Sequence, residues 1–287
     1  MIIDIHTHTF PERIAADTIA RLSRAAQLAP HTDGTCGGLT ASMRRSGIDC
    51  SVILPVATSA RQVEKINDAS ARLSEQYGNE GLVSFGCMHP DYAGFAQELK
   101  RIREMGLKGI KLHPVYQGVC IDDIRMLRII GCAAEFGLIV ITHAGEDIGF
   151  PGKVCCSPRM CRHVVDEIGA FPFILAHMGG WRNWDEVPEM LMETQVFLDC
   201  AFSMGTYELL PGSDGDTPRE MLSADDMMRF IRTFGADRIL FGSDSPWTDQ
   251  ADSLDFIRRL PLTDAEKSAI LGENAEALLG FNNRGQT

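Results

Sequence analysis

The chain is short of positive charge: 27 Lys and Arg stand against 39 Asp and Glu, a formal net charge of −12 over 287 residues. No Lys/Arg cluster interrupts that balance, so a nucleic acid or an anionic membrane surface would be repelled at long range. No apolar run approaches the roughly 20 residues that cross a bilayer. A linker, a low-complexity tract and an internal repeat are also missing, and one domain over 1–287 is the simplest expectation. A removable secretion signal is not expected either. The first strand-like run starts at Met1 and reaches a candidate ligand at His6, so cleavage would take part of the site with it. Nine cysteines, an odd number without a leader, read as reduced thiols of a cytoplasmic protein.

What is present is ordinary in bulk and regular in order. Hydrophobic residues make up 45% and charged ones 23%, enough for a full core. Short apolar runs at 2–6, 50–54, 82–87, 109–113, 138–143, 173–177, 196–200 and 238–243 predict strands. Between them, helical patterns fall at 12–27, 61–77, 92–104, 123–136, 158–167, 184–192, 224–234 and 253–259, with a last helix at 264–278. Thr263-Asp-Ala-Glu266 has the form of a capping box, and Ser157-Pro158 that of an N-cap followed by proline in the first turn. Eight strands alternating with eight helices predict a single-domain (β/α)₈ barrel of the TIM type. An open doubly wound sheet is the rival, but it gathers ligands at one switch crevice. The stretches 29–38 and 204–222, the latter with a Pro-Gly-Ser-Asp-Gly-Asp run, read as long mouth loops.

Four of the strand ends carry chemistry. Asp4-Ile-His6-Thr-His8, Thr142-His143, Ala176-His177 and Gly242-Ser-Asp244 each close an apolar run, and the C-terminal ends of barrel strands share one mouth. His6 and His8, two apart on a strand, present both imidazoles to one face. Three histidines and an aspartate suit a zinc-type catalytic site with a position left for water, and a fourth histidine remains to move protons. Asp4 shares the parity of His6 and reads as a support for its ring. A carboxylate at Asp244, on so apolar a strand, is costly unless it meets a cation or donors. Lys111 and His113 share one face of the fourth strand. Trp181, after Met178-Gly-Gly180, is placed to wall a pocket, and Glu146 is an oxygen donor close to His143. Cys155, Cys156, Cys161 and His163 are irregularly spaced and read as plain thiols beside a helix start.

Asp-Ile-His-Thr-His, Gly-Ile-Lys-Leu-His-Pro, His-Ala-Gly, Ala-His-Met-Gly-Gly and Leu-Phe-Gly-Ser-Asp-Ser-Pro-Trp together resemble the amidohydrolase superfamily. The resemblance is nearest to its amidohydrolase-related branch, which also holds the aminocarboxymuconate-semialdehyde decarboxylase type of enzyme. It covers essentially the whole chain. It implies that His6, His8, His143 and Asp244 bind a divalent metal, that His177 polarises water or substrate, and that Asp244 shuttles the proton. It implies zinc or another divalent ion; spacing alone also permits manganese or iron. Dinuclear members bridge two ions with a carboxylated lysine or a glutamate from strand four. Lys111 is therefore either such a bridge, with a second ion, or a plain ammonium facing an anionic substrate group.

The expectation drawn from all this is a metal-dependent hydrolase using a metal-activated water on a small amide, lactone or ester. Lys111, His113, Trp181 and Glu146 would contact the small-molecule substrate, and a homo-oligomer is left open. The alternative is a decarboxylase or lyase of a small unsaturated or aromatic acid. That reaction must hold a carboxylate near the metal and should do so with an arginine at the mouth, and none of Arg13, Arg159, Arg162 or Arg182 is firmly placed there by the sequence. A third reading is an inactive barrel that serves as a binding protein.

Overall fold

The computed structural model describes residues 1–211 and 221–281. The strands are β1 (Ile3–Thr7), β2 (Cys50–Ile53), β3 (Leu82–Ser84), β4 (Gly86–Cys87), β5 (Gly109–Leu112) and β6 (Ile139–Thr142). After a hairpin of β7 (Glu146–Asp147) and β8 (Phe150–Val154) come β9 (Phe173–Leu175), β10 (Phe197–Asp199) and β11 (Ile239–Leu240). Outside the antiparallel hairpin the named strands pair in parallel, in the orders β1-β2-β3 and β4-β5-β6-β9-β10-β11. β3 and β4 are two halves of one barrel strand interrupted at Phe85, whose N–H still donates to Ile53 O at 2.9 Å. Closure comes between the first and last strands. Ile5 N donates to Phe241 O at 2.9 Å, Asp244 N to His6 O at 2.8 Å, and Thr7 bridges Ser245. The result is an eight-stranded parallel barrel ringed by helices, the (β/α)₈ architecture that the alternation predicts.

The helices form where apolar spacing and caps agree. In the helix Ala224–Phe234 the buried Met227, Phe230, Ile231 and Phe234 recur at helical spacing, and Ser223 and Asp226 close a capping box. The Thr263/Glu266 box and the Ser157 cap before Pro158 form as the sequence suggests. Ile102, Ile129, Ile130 and Phe230 from the helices meet Ile110, Leu112, Val140 and Leu198 from the strands in one continuous core. Each such side chain removed from water contributes about 1.5–3 kcal/mol. A second apolar group gathers Ile3, Ile5, Val52, Phe85, Ile139, Ile141, Ile174 and Leu240 with Ala275 and Leu279 of the last helix.

Two differences from the sequence reading have physical reasons. The stretch 29–38 is not all loop: a helix runs over Cys36–Ser46, capped by Thr35, whose Oγ1 accepts from Gly38 N at 3.0 Å. It buries Leu39 and Met43 one turn apart and stops at Gly47, where φ is +72°. Gly37 and Gly38 lower its intrinsic propensity and hide it. The hairpin β7–β8 likewise had no strand-like pattern, since four of the five residues of β8 are exposed. Residues 212–220 of the predicted loop 204–222, with its Pro-Gly-Ser-Asp-Gly-Asp run beyond Pro211, lie outside the described residues; Met204 and Leu222 bridge at its two ends. The cysteines form no disulfide. Cys156 Sγ and Cys161 Sγ lie 3.4 Å apart, fully buried. No described helix is long and apolar enough to cross a membrane.

Candidate active site and metal centre

The ends of β1, β5, β6, β9, β10 and β11 bring one set of polar side chains together. His6 Nε2 and His8 Nε2 face each other at 3.2 Å, and Asp244 Oδ1 lies 3.5 Å from the first and 3.1 Å from the second. The two rings are inclined at 73°, so their lone pairs can converge on one point. The opposite nitrogens are committed elsewhere: His6 Nδ1 donates to Asp199 Oδ2 at 2.9 Å and His8 Nδ1 to Leu54 O at 2.8 Å. Both Nε2 atoms are therefore left as acceptors. His177 and His143 are fixed in the same way. His177 Nδ1 donates to Ala201 O at 2.8 Å, so its Nε2 accepts from His143 Nδ1 at 3.0 Å. That leaves His143 Nε2 buried with no hydrogen-bond partner.

Three imidazole lone pairs and a carboxylate gathered at a largely buried place, with Lys111 reaching only His6 Nε2, would be unfavourable unless a cation joined them. The donor set of nitrogens and oxygen suits a divalent ion, and Lys111 supplies a positive charge beside it: its Nζ donates to His6 Nε2 at 3.2 Å. Burial pushes His6, His143 and His177 down. His6 and His143 fall well below the usual imidazole range, and His177 falls to about 4 although the Asp244 carboxylate opposes the shift. They are neutral near pH 7, the form that binds metal. Burial also lowers the Lys111 amine, against the pull of Asp199 and Asp244.

His143 is not within ligand distance of the whole His6–His8–Asp244 group; its neighbours are His113 and Asp147. His113 stacks on His143 at 4.4 Å with the planes 12° apart, and Tyr116 stacks on His113 at 4.0 Å. Rings this nearly parallel cannot aim their lone pairs at one ion, so the trio His113–His143–Asp147 makes a wall and not a second metal site. His113 Nε2 lies 3.5 Å from Asp147 Oδ2, and its Nδ1 is buried without a partner.

Trp181 stands at the mouth. Gly145, with φ +88°, lets the backbone after β6 press against it: a Cβ there would lie 2.2 Å from Trp181 N. Trp181 packs with Leu28, Phe202 and Tyr207, flanked by Trp184, Trp247 and Ile148, so five strand-end loops make one aromatic wall. Its indole N–H is buried and unpaired. Glu146 turns instead to Arg182 at 3.2 Å, and that guanidinium also lies over the Trp181 ring at 5.5 Å. Arg162 pairs with Asp166 at 2.8 Å. Asp4 does not support the His6 ring. It ties the barrel shut, accepting from His6 N, Ser243 N, Ser243 Oγ and Gln250 Nε2. The group that holds the His6 ring is Asp199, at the end of β10. His177, Met178 and Asp244 carry positive φ of 58°, 53° and 67°, conformations that cost about 1–3 kcal/mol each and gather at functional sites.

The amidohydrolase family model matches residues 3–281. The chain belongs to the amidohydrolase family. Among solved structures it is similar to 5-carboxyvanillate decarboxylase of Sphingomonas paucimobilis, at 16% identity and a TM-score of 0.71, covering 97% of this chain and 98% of that one. It is also similar to a dihydroxybenzoic acid decarboxylase of a Polaromonas species with bound manganese, at 16% identity and a TM-score of 0.68 over 98% and 97%. A third is a probable 2-pyrone-4,6-dicarboxylic acid hydrolase of Acinetobacter baumannii, at 16% identity and a TM-score of 0.65 over 98% and 99%. None of the curated proteins compared with the chain matches it. These likenesses, each at 16% identity over nearly the whole of both chains, show the barrel fold.

Proposed function

We propose that this protein is a metal-dependent decarboxylase of a small aromatic or unsaturated carboxylic acid. The observation that carries the reading is the buried Lys111 ammonium set among the metal-site lone pairs, 3.2 Å from His6 Nε2. An arginine at the mouth is then unnecessary, because Lys111 is the cation that meets a substrate carboxylate. Trp181, with its free indole N–H, and the aromatic wall around it suit a planar ring bearing oxygens. The three similar structures are named for carboxylated ring compounds, which agrees with that chemistry.

A divalent ion bound here would be held by His6, His8 and Asp244, with His143 as fourth ligand once its ring moves towards them, and would supply Lewis acidity towards the substrate's oxygens. Lys111 and Trp181 orient the ring and its carboxylate, and His113 faces a ring substituent with its unpaired Nδ1. Breaking the bond between ring and carboxylate leaves an electron pair on the ring carbon. A proton that Asp244 takes from solvent and passes on meets that pair, and CO₂ leaves. His177, neutral and held by Ala201 O, accepts from His143 Nδ1 and so keeps the His143 Nε2 lone pair free for the ion. Glu146, engaged with Arg182, steadies the rim near Trp181.

Hydrolysis of an unsaturated cyclic ester by the same groups is the second reading, favoured by the likeness to the pyrone hydrolase. Protein loaded with manganese or zinc, offered carboxylated phenols and unsaturated lactones in ¹⁸O-labelled water, separates the two. CO₂ release with no ¹⁸O in the product supports decarboxylation; ¹⁸O uptake without CO₂ overturns it.

A further inference from the structure

One carboxylate holds two site histidines from behind. Asp199, at the end of β10 and fully buried, accepts from His6 Nδ1 with one oxygen at 2.9 Å. With the other it accepts from the backbone N–H of His177 at 3.0 Å and of Ala201 at 3.1 Å. We propose that Asp199 is a positioning residue that couples His6 to His177, setting the tautomer of the first and the backbone of the second. The inference rests on the metal-site reading above for its effect on affinity, but its effect on the tautomer stands without any metal.

The first half follows from hydrogen-bond chemistry. A carboxylate accepts only, so it fixes the His6 proton on Nδ1 and leaves the Nε2 lone pair pointing at His8 and Asp244. The second half follows from the backbone. His177 and Met178 are both left-handed, with φ of 58° and 53°, a conformation that side-chain-bearing residues resist. An acceptor for the His177 amide helps hold that turn, and Asp199 is the acceptor. The turn aims the His177 ring at His143 and at Ala201 O, and Ala201 N is anchored on the same carboxylate oxygen. Movement of Asp199 would therefore disturb both histidines together.

The two halves separate in two variants. In Asp199→Asn the amide oxygen still serves the His177 and Ala201 amides, but its NH₂ now faces His6 Nδ1. Two donors cannot pair, so His6 moves its proton to Nε2 and blocks its own lone pair. Asp199→Ala removes both supports. The test is ¹⁵N-histidine NMR on metal-free full-length protein, with Mn²⁺ titrations of the same samples. In the wild type the His6 proton should sit on Nδ1. In Asp199→Asn it should sit on Nε2, the His177 signals should stay in place, and Mn²⁺ affinity should fall by about 10- to 100-fold. In Asp199→Ala the His177 signals should move as well. An Nε2–H tautomer of His6 in the wild type overturns the proposal without need of any variant. So do unchanged tautomer and affinity in Asp199→Asn. If the wild type binds no Mn²⁺, the metal-site reading fails, and the tautomer still judges Asp199.

Discussion

The Nε2 atoms of His6 and His8 face one another across 3.2 Å, each with its Nδ1 already spent on a fixed acceptor. Two lone pairs at that distance repel, and Asp244 adds a carboxylate oxygen to the same point. A bound cation turns all three repulsions into attractions. The wild type should therefore carry about one divalent ion per chain, the occupancy of a mononuclear site. Elemental analysis after gel filtration should find it, and a His6→Ala/His8→Ala variant should retain almost none. Equal metal in the two proteins would remove the assignment.

His177 sits between His143 and Ala201 O and is pushed down to about 4 by burial, so it works as a neutral imidazole. Replacing it with Asn keeps a polar group of smaller reach. Turnover should drop by about 10- to 100-fold, the usual cost of losing a group that orients a metal-binding histidine. Circular dichroism and thermal melting should stay near those of the wild type, because His177 lies at the mouth and not in the apolar core. Turnover within a few-fold of the wild type would show that this residue handles no part of the reaction.

Most of the barrel was legible because strand and helix periods differ and each buried strand here ends on turn residues. The ligand candidates were legible for the same reason: His6, His143, His177 and Asp244 are polar endings on apolar runs. Asp199 has that signature too, closing Val-Phe-Leu before Cys200, and the rule that found Asp244 applies equally to it. The support for His6 was instead sought at Asp4, two residues away on the same strand. Parity gives a face but not a partner, and the partner came from β10, 193 residues along the chain. The stack of His143, His113 and Tyr116 and the left-handed turn at His177 were not legible. Both depend on how neighbouring strand ends converge, which a single chain's periodicity does not encode.

Lys111 is buried among His6, Asp199 and Asp244, where an amine survives as a cation only because carboxylates attend it. Lys111→Met keeps the length and removes the charge. KM for carboxylate substrates should rise by about ten-fold or more, in line with losing a charged hydrogen bond of ~1.5–3 kcal/mol. Metal content should be unchanged, since the four ligands remain. Steady-state kinetics beside elemental analysis reads both effects. Loss of metal in this variant, or activity that depends on added bicarbonate, would instead point to a carboxylated lysine bridging two ions.

Trp181 offers the most discriminating test of the substrate wall, because its N–H is buried without an acceptor. A buried donor left unpaired costs about 1–3 kcal/mol, so nothing in the fold itself gains from it. Trp181→Phe deletes the donor while keeping an aromatic ring against Leu28, Phe202 and Tyr207. Two opposing effects then set stability: relief of the unpaired N–H and loss of packing from the smaller ring. They are of similar size, and the melting temperature should move by only a few degrees. Substrate binding has no such compensation. If the N–H waits for a substrate oxygen, KM should rise by about ten-fold, the value of one hydrogen bond. An analogue lacking that oxygen should bind the wild type and the variant alike. A KM that is unchanged for every substrate tried would leave Trp181 as packing alone and would place the recognition of the ring elsewhere on the mouth.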